Sequence, residues 1–252
     1  MNQNAAPGWP PGGDGDGNNP ALIWNCVDAE LNRAALVRQL RIKPGSPMLK
    51  DLDDMAASAR SLAAPKALIK PVYITRKNDD SVELDGVKFT SRVLSMNLSG
   101  VQRAFAYVVT AGVELDEWAK GFTDILLQYW VDRMQQLLLS SALKKLMQHL
   151  QDRFALSNLS SMSPGRLENW PIEEQKPLFF LMGGKEREIG VQLTDSCLML
   201  PAKTVSGLAY ASEASFESCQ LCPRPACEGR KAAYQSELAE KKYHLAGKNQ
   251  RM

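Results

Sequence analysis

The chain has 252 residues, 44% of them hydrophobic and 23% charged, with a formal net charge of +2. That length is ample for a buried core in one or two domains, and so slight a basic excess argues against a nucleic-acid protein, whose binding face needs a strong positive bias. There is no apolar run of roughly 18 residues or more, the length needed to cross a bilayer, and no basic segment followed by an apolar stretch at the start, so the expected setting is the cytoplasm.

Residues 1–20 are rich in Gly, Pro, Asn and Asp and offer almost nothing to bury, so they are expected to be disordered. Residues 21–64 form a helical N-terminal segment. It opens on apolar Leu22, Ile23 and Trp24, and Asp28 is a candidate cap for a helix running to Leu40. Pro44-Gly45-Ser46-Pro47 breaks that helix. A second helix, Leu49 to Ala64, carries Leu52, Met55, Ala56, Ala59 and Leu62 on one face and stops before Pro65.

The period then changes from helix to strand. Ala67 to Thr75 is β-rich, Asp85-Gly86 between Val82, Leu84 and Val87 is a hairpin signal, and Arg103 to Thr110 reads as a buried strand. From Leu115 to Phe154 apolar residues recur at three- and four-residue steps, with Trp118, Phe122, Ile125, Tyr129, Leu137, Ser141 and Leu150 on one stripe. The stripe predicts one long helix, or two with a bend, packed on the core. Residues 155–170 are polar and are read as a loop. A helix led by Pro171 runs to Met182 and stops at Gly183-Gly184. Glu188 to Leu193 reads as a strand and Leu198-Met199-Leu200 as a short apolar segment. A polar helix from Glu228 to Lys242 closes the chain. Helices, then a hairpin-containing strand group, then one long helix predict an α+β fold: an antiparallel twisted sheet with a long helix and flanking helices, plus a cysteine loop and a C-terminal helix.

Two constellations carry chemistry. The first is Cys219-x2-Cys222-x4-Cys227. Two thiolates two residues apart reach one metal from a single turn, and a third closes on the same ion or cluster. Arg224, Arg230 and Lys231 would favour the thiolate form. Five cysteines, three of them clustered, are not a disulfide framework. The metal is read as an iron–sulfur cluster or zinc, with Cys197 as a possible fourth ligand; Cys197 fits a packed core thiol equally well. The second constellation is Ser163-Pro164-Gly165 together with the stretch Gly190 to Gly207, in which Asp195 stands beside two hydroxyl residues. Taken singly, each of these is an ordinary turn.

Taken in order, they resemble the activation domain of vitamin B12-dependent methionine synthase. The pattern is P-G, a Trp-Pro-led helix ending in Leu-Phe, then G-V-x-L-T-(D/E)-S-x-x-M-x-P-x-x-(S/T)-V-S-G. Leu193-Thr194-Asp195-Ser196 matches the family's L-T-E-S, and Thr204-Val205-Ser206-Gly207 its S-V-S-G. Thr110-Ala111-Gly112 and the helix after it resemble the family's threonine-glycine segment, and Asp152-Arg153 its Glu-Arg pair. The resemblance covers residues 65–212, with residues 213–252 added as the cysteine loop and terminal helix.

The resemblance implies S-adenosylmethionine bound in a shallow groove, contacted by Asp152, Ser163, Pro164, Gly165 and Ser206 with Asp195 in support. It implies a cobalamin supplied by a partner, since no D-x-H-x-x-G motif is present in this chain. The partner would be a corrinoid-binding methyltransferase or methionine synthase module, with an electron-donor protein as a further one. Three positions depart from the family pattern: its arginine is Ser161, its tyrosine after the glycine is Arg166, and the tyrosine of its S-G-W-Y segment has no equivalent, Tyr210 falling one place late; Arg166 is a candidate for the ligand carboxylate. The implied role is an accessory or reactivation protein for a corrinoid-dependent methyltransferase, presenting S-adenosylmethionine, electrons or both. An iron–sulfur cluster would suit that redox role. A zinc-stabilised binding module on the same fold is the alternative, and a methyltransferase in its own right ranks last because no glycine-rich loop follows a first strand. The short link from Gly207 to Cys219 places the cysteine loop on the side of the ligand groove.

Overall fold

The computed structural model describes residues 20–26, 29–212, 216–227 and 229–245. The expectations for residues 1–19, for Asp28 as a cap and for Glu228 as a helix start fall outside the described residues.

Strand β1 (Leu22–Asn25) leads into α1 (Arg33–Gln39) and α2 (Met48–Leu62). Asn32 caps α1, its side chain accepting from Ala35 N. Leu52, Ala56 and Ala59 are the buried face of α2 as expected, while Leu62 is exposed. Then come β2 (Lys66–Lys77), β3 (Ser81–Leu84), β4 (Val87–Thr90), α3 (Arg92–Asn97) and β5 (Arg103–Thr110). The Asp85-Gly86 turn between β3 and β4 has φ of 47° and 78°, the left-handed pair a two-residue hairpin needs.

The apolar stripe is split between two helices, α4 (Val113–Lys120) and α5 (Ile125–Phe154). The chain breaks at Gly121 and restarts where Asp124 accepts from Leu127 N. The restart resets the helical phase, which corrects the expected stripe. Ile125 is 83% exposed and Tyr129 43%, and the buried line is instead Trp130, Met134, Leu138, Ala142, Leu146 and Leu150.

Beyond α5, the polar stretch expected to be a loop contains β6 (Leu159–Met162). Next are α6 (Gln175–Met182), the short hairpin β7 (Gln192–Leu193) and β8 (Met199–Leu200), and β9 (Thr204–Ala211). Of Glu188 to Leu193, expected to be a strand, only Gln192–Leu193 is one, and Glu188 and Ile189 end a 3-10 turn that begins at Lys185. The expected terminal helix shrinks to one turn ending in the π-type segment Leu238–Lys242.

The sheet is antiparallel throughout, in the order β4-β3-β2-β5-β9-β6, with β1 also paired to the first half of β2. Alternation along its strands makes two cores. Phe105, Tyr107, Val109 and Ala209 face α1, α2, α4 and α5. Ala104, Ala106, Val108, Leu208 and Tyr210 face α3, α6 and the C-terminal segment. Central strand β9 was the element hardest to see: its Ser-Gly-Leu-Ala run lacks the branched and aromatic residues that mark strands. Among the described residues, no helix is long and apolar enough to cross a membrane.

Candidate functional site

The β6–β9 pair brings the two halves of the second constellation side by side. Ser161 lies opposite Ala209 and Met162 opposite Leu208, so the Ser163-Pro164-Gly165-Arg166 turn emerges beside Gly207. Next to Gly207, on the other side of β9, is Tyr107 of β5. A Cβ at position 207 would stand 2.7 Å from the Tyr107 hydroxyl and 2.9 Å from its Cζ, so the phenol ring lies over the space the glycine leaves. Across that space the phenol meets the hydroxyls of Ser163 and Ser161, with Arg166 near. Burial raises the Tyr107 pKa, and these hydroxyls and the Arg166 charge pull against the rise.

Each expected ligand residue now has a place. Ser163 is buried beside Tyr107, whose phenol its hydroxyl helps to keep from rising further in pKa. Pro164 is buried, while Gly165 (φ 80°) is an exposed turn residue whose N–H donates to Trp170 O at 2.8 Å. Gly165 packs so closely on Ile172 that a Cβ would meet its Cδ1 at 2.7 Å. Arg166 is exposed at the mouth of the turn. Ser206 is buried and donates to Gln175 Oε1 at 2.6 Å, so its hydroxyl is satisfied within the core rather than offered to a ligand. Asp195 is exposed at the tip of the β7–β8 hairpin, where Thr194 and Ser196 share a 3.0 Å hydrogen bond. Asp152 is exposed near the end of α5 and accepts from Gln148 at 2.8 Å. The structure thus joins Ser163, Arg166 and Gly207 around Tyr107. It puts Ser206 on the opposite face of the sheet with Gln175. Tyr107 and Gln175 were missed by the sequence reading; the available signal was an aromatic residue in a strand facing a glycine in its neighbour.

The cysteines do not converge. Among the described residues, no group of three His, Cys, Asp or Glu stands close enough to hold a metal ion. Cys219 and Cys222 are half-buried in a 3-10 turn and Cys227 is exposed. Cys197 is buried in the β7–β8 turn at φ 63°. The loop is held instead by Arg230, whose guanidinium donates to the carbonyls of Cys219 and Cys222 (3.2 Å each), Ala232 (3.1 Å) and Arg224. As placed, these thiols do not fit zinc or an iron–sulfur cluster. The loop also packs on the α3–α6 face, through Phe216, Leu221, Cys222 and Tyr243, whereas Tyr107 lies on the other. The cysteine loop and Tyr107 therefore lie on opposite faces of the sheet.

At that end, where β5 begins and β9 finishes, a cavity of about 1000 Å³ opens between the α5–β6 loop and the C-terminal segment. None of Asp152, Ser163, Pro164, Gly165, Arg166, Asp195 or Ser206 lines it.

An α+β domain with one large antiparallel sheet, a 30-residue helix on one face and a Ser-Pro-Gly turn beside a Ser-Gly strand is a defined architecture. The chain has the fold of a reactivation domain: it is similar to the crystal structure of the MetH reactivation domain bound to AdoHcy, with a TM-score of 0.58 at 16% identity over 82% of this chain and 85% of that one. No family model and no curated protein matches the sequence.

Proposed function

We propose that the chain is a reactivation-type domain that binds S-adenosylmethionine and serves a corrinoid-dependent methyltransferase carried by a partner. The observation that carries this reading is the likeness, over 82% of the chain, to a domain whose crystal structure holds AdoHcy. The Ser161–Arg166 turn beside Ser206-Gly207 supports it, because it brings together the segments by which the sequence resembles the activation domain.

The ligand would supply a methyl group to a cobalamin on the partner. This chain's part is to bind and orient it. With Ser163 buried beside Tyr107, Ser206 bonded to Gln175, and the Gly165 and Arg166 N–H groups bonded within the turn, what remains for the ligand is the carbonyls of Pro164 and Gly165 and the exposed Arg166 side chain. A guanidinium can take the ligand carboxylate through two parallel N–H bonds. The exposed carboxylates of Asp152 and Asp195 enter none of the ion pairs found among the described residues and suit the ligand's cationic end. The cysteine loop enters no step, since its thiols are not gathered.

The test is calorimetric titration of the purified chain with AdoHcy and S-adenosylmethionine. Binding that Arg166→Ala weakens about tenfold, or 1.4 kcal/mol, with an unchanged melting temperature, supports the reading. An absence of binding sinks it. Restoration of methylcobalamin on a methionine synthase lacking its own reactivation domain tests the partner.

A further inference from the structure

The cavity at the sheet end has a composition that the proposed function does not use. Two cations line it, Arg103 and Lys242, and among its described lining residues there is no carboxylate. The Arg103 guanidinium lies 5.2 Å from the centroid of Phe105 and 4.5 Å from that of Phe154. Contact with two ring faces fixes the guanidinium plane. It makes no ion pair among the described residues, so its donor fork is held in place with no anion on it. An immobilised, unpaired guanidinium is suited to a phosphate or carboxylate.

The rest of the wall is aromatic and amide. Phe216 and Tyr243 line it from the C-terminal segment, their rings 5.9 Å apart, and Phe105 from the sheet. Gln102, Asn158, Gln220 and Gln235 add donor–acceptor amides. Tyr210, a residue wholly buried, also lines the cavity, beside Asn97, whose Oδ1 accepts from the Tyr243 hydroxyl at 2.6 Å. The cavity's volume of about 1000 Å³ accommodates a whole organic cofactor rather than a bare ion.

From this combination we infer a second ligand site, selective for a nucleoside phosphate: Arg103 and Lys242 hold the phosphate, and the aromatic and amide wall takes the base. Rings stack on bases, and Asn or Gln side chains pair with their edges. The same charges disfavour S-adenosylmethionine, whose sulfonium and ammonium leave it net positive. The site is therefore distinct from the one in the proposed function and does not rest on it.

Three probes share one adenosine body and differ in charge: AMP, adenosine and S-adenosylmethionine. Titrated into the full chain, AMP is expected to bind at least tenfold more tightly than adenosine, and less tightly as salt is raised. Arg103→Gln should weaken AMP about tenfold and leave adenosine unchanged. Lys242→Gln, a change at an exposed residue, should weaken AMP about threefold, and it keeps the test open should Arg103→Gln fail to fold. S-Adenosylmethionine should not displace AMP. No AMP binding, AMP binding no tighter than adenosine, or binding that neither substitution alters overturns the inference. Displacement of AMP by S-adenosylmethionine overturns it as well, by merging the two sites. Failure with AMP alongside successful AdoHcy titration leaves the proposed function standing and removes only this site.

Discussion

Tyr107 lies across Gly207: the two are paired on adjacent strands, and the phenol occupies the volume a side chain at 207 would take. The glycine is required by space rather than by backbone angle. A Cβ there would also collide with the Met162 carbonyl oxygen, which belongs to the main chain of β6 and cannot swing away. Gly207→Ala is therefore expected to cost about 3 kcal/mol in urea unfolding, the upper range for overpacking a core. Tyr107→Phe should not rescue it, because the Met162 contact persists. An unchanged unfolding midpoint in Gly207→Ala would show that the strand yields easily.

The buried Ser206–Gln175 bond joins β9 to the start of α6. Ser206→Ala leaves a buried amide oxygen without its donor, and a loss of about 1–3 kcal/mol is expected. Replacing both partners, as in Ser206→Ala with Gln175→Leu, should recover much of that loss. A double-mutant cycle checks this, and additive losses would mean that the two side chains do not depend on one another.

Stacking of Trp24 on His149, with ring centroids 4.8 Å apart, ties β1 to α5. Burial lowers the His149 pKa, and the Arg153 charge lowers it further. The folded state therefore holds fewer protons than the unfolded one below the ordinary histidine value, roughly 6.5. Stability present at pH 7 should fall as pH drops through that value and on through the depressed one. Trp24 fluorescence should change over the same range. His149→Phe should flatten both profiles, and profiles that keep their shape would exclude His149 as the source.

At the alkaline end the sign reverses. Burial pushes the Cys26 thiol up to about 12 and, chiefly by the same cause, the Tyr243 phenol up to about 12; Tyr210 is also raised. The folded chain keeps protons that the unfolded chain releases from about pH 8.5 for a thiol and about 10 for a phenol. Stability should be intact below pH 8 and decline as pH rises toward 12. Cys26→Ala should remove the early part of the decline, where only the thiol ionises. A denaturant midpoint that is flat from pH 8 to 11 would contradict this.

Thiol accessibility gives a direct reading of the cysteine loop. Brief maleimide labelling followed by mass spectrometry should modify Cys227 first, then Cys219 and Cys222, and spare Cys26 and Cys197. Arg230→Lys, which cannot span four carbonyls at once, should speed labelling of Cys219 and Cys222 without exposing Cys26. Equal protection of Cys219, Cys222 and Cys227 that a chelator lifts would show that the three gather on an ion in solution.

Local chemistry made much of the fold legible. Asp85-Gly86 specifies its turn because a two-residue hairpin demands left-handed angles. Gly183 ends α6 at φ 65° for the same kind of reason, and the period change after Pro65 marks the passage from helix to strand. The resemblance to an activation domain led to the right fold, carried by residues 160–207. Less was legible where partners are distant in sequence. Leu159–Met162 carries two serines and reads as loop; it is a strand because β9 offers it an edge. The stripe of α5 was misphased because only the capped restart at Asp124 fixes the helical angle.

The class of fold, its turns and the segments that meet beside Gly207 can all be read along the chain, since each follows from short-range angles and periodicity. Only the tertiary structure decided what the polar groups in those segments do. Ser163 and Ser206 look alike as candidate ligands in the chain, yet one lies beside Tyr107 and the other is bonded to Gln175, on opposite faces of the same sheet. The same holds for the cysteines and for Arg103. Spacing brings three thiols within reach of an ion but does not say whether they turn toward one another, and nothing near Arg103 in sequence reveals the cavity it lines. Hydrogen-bond satisfaction and burial depend on residues tens of positions away, and no local pattern encodes them.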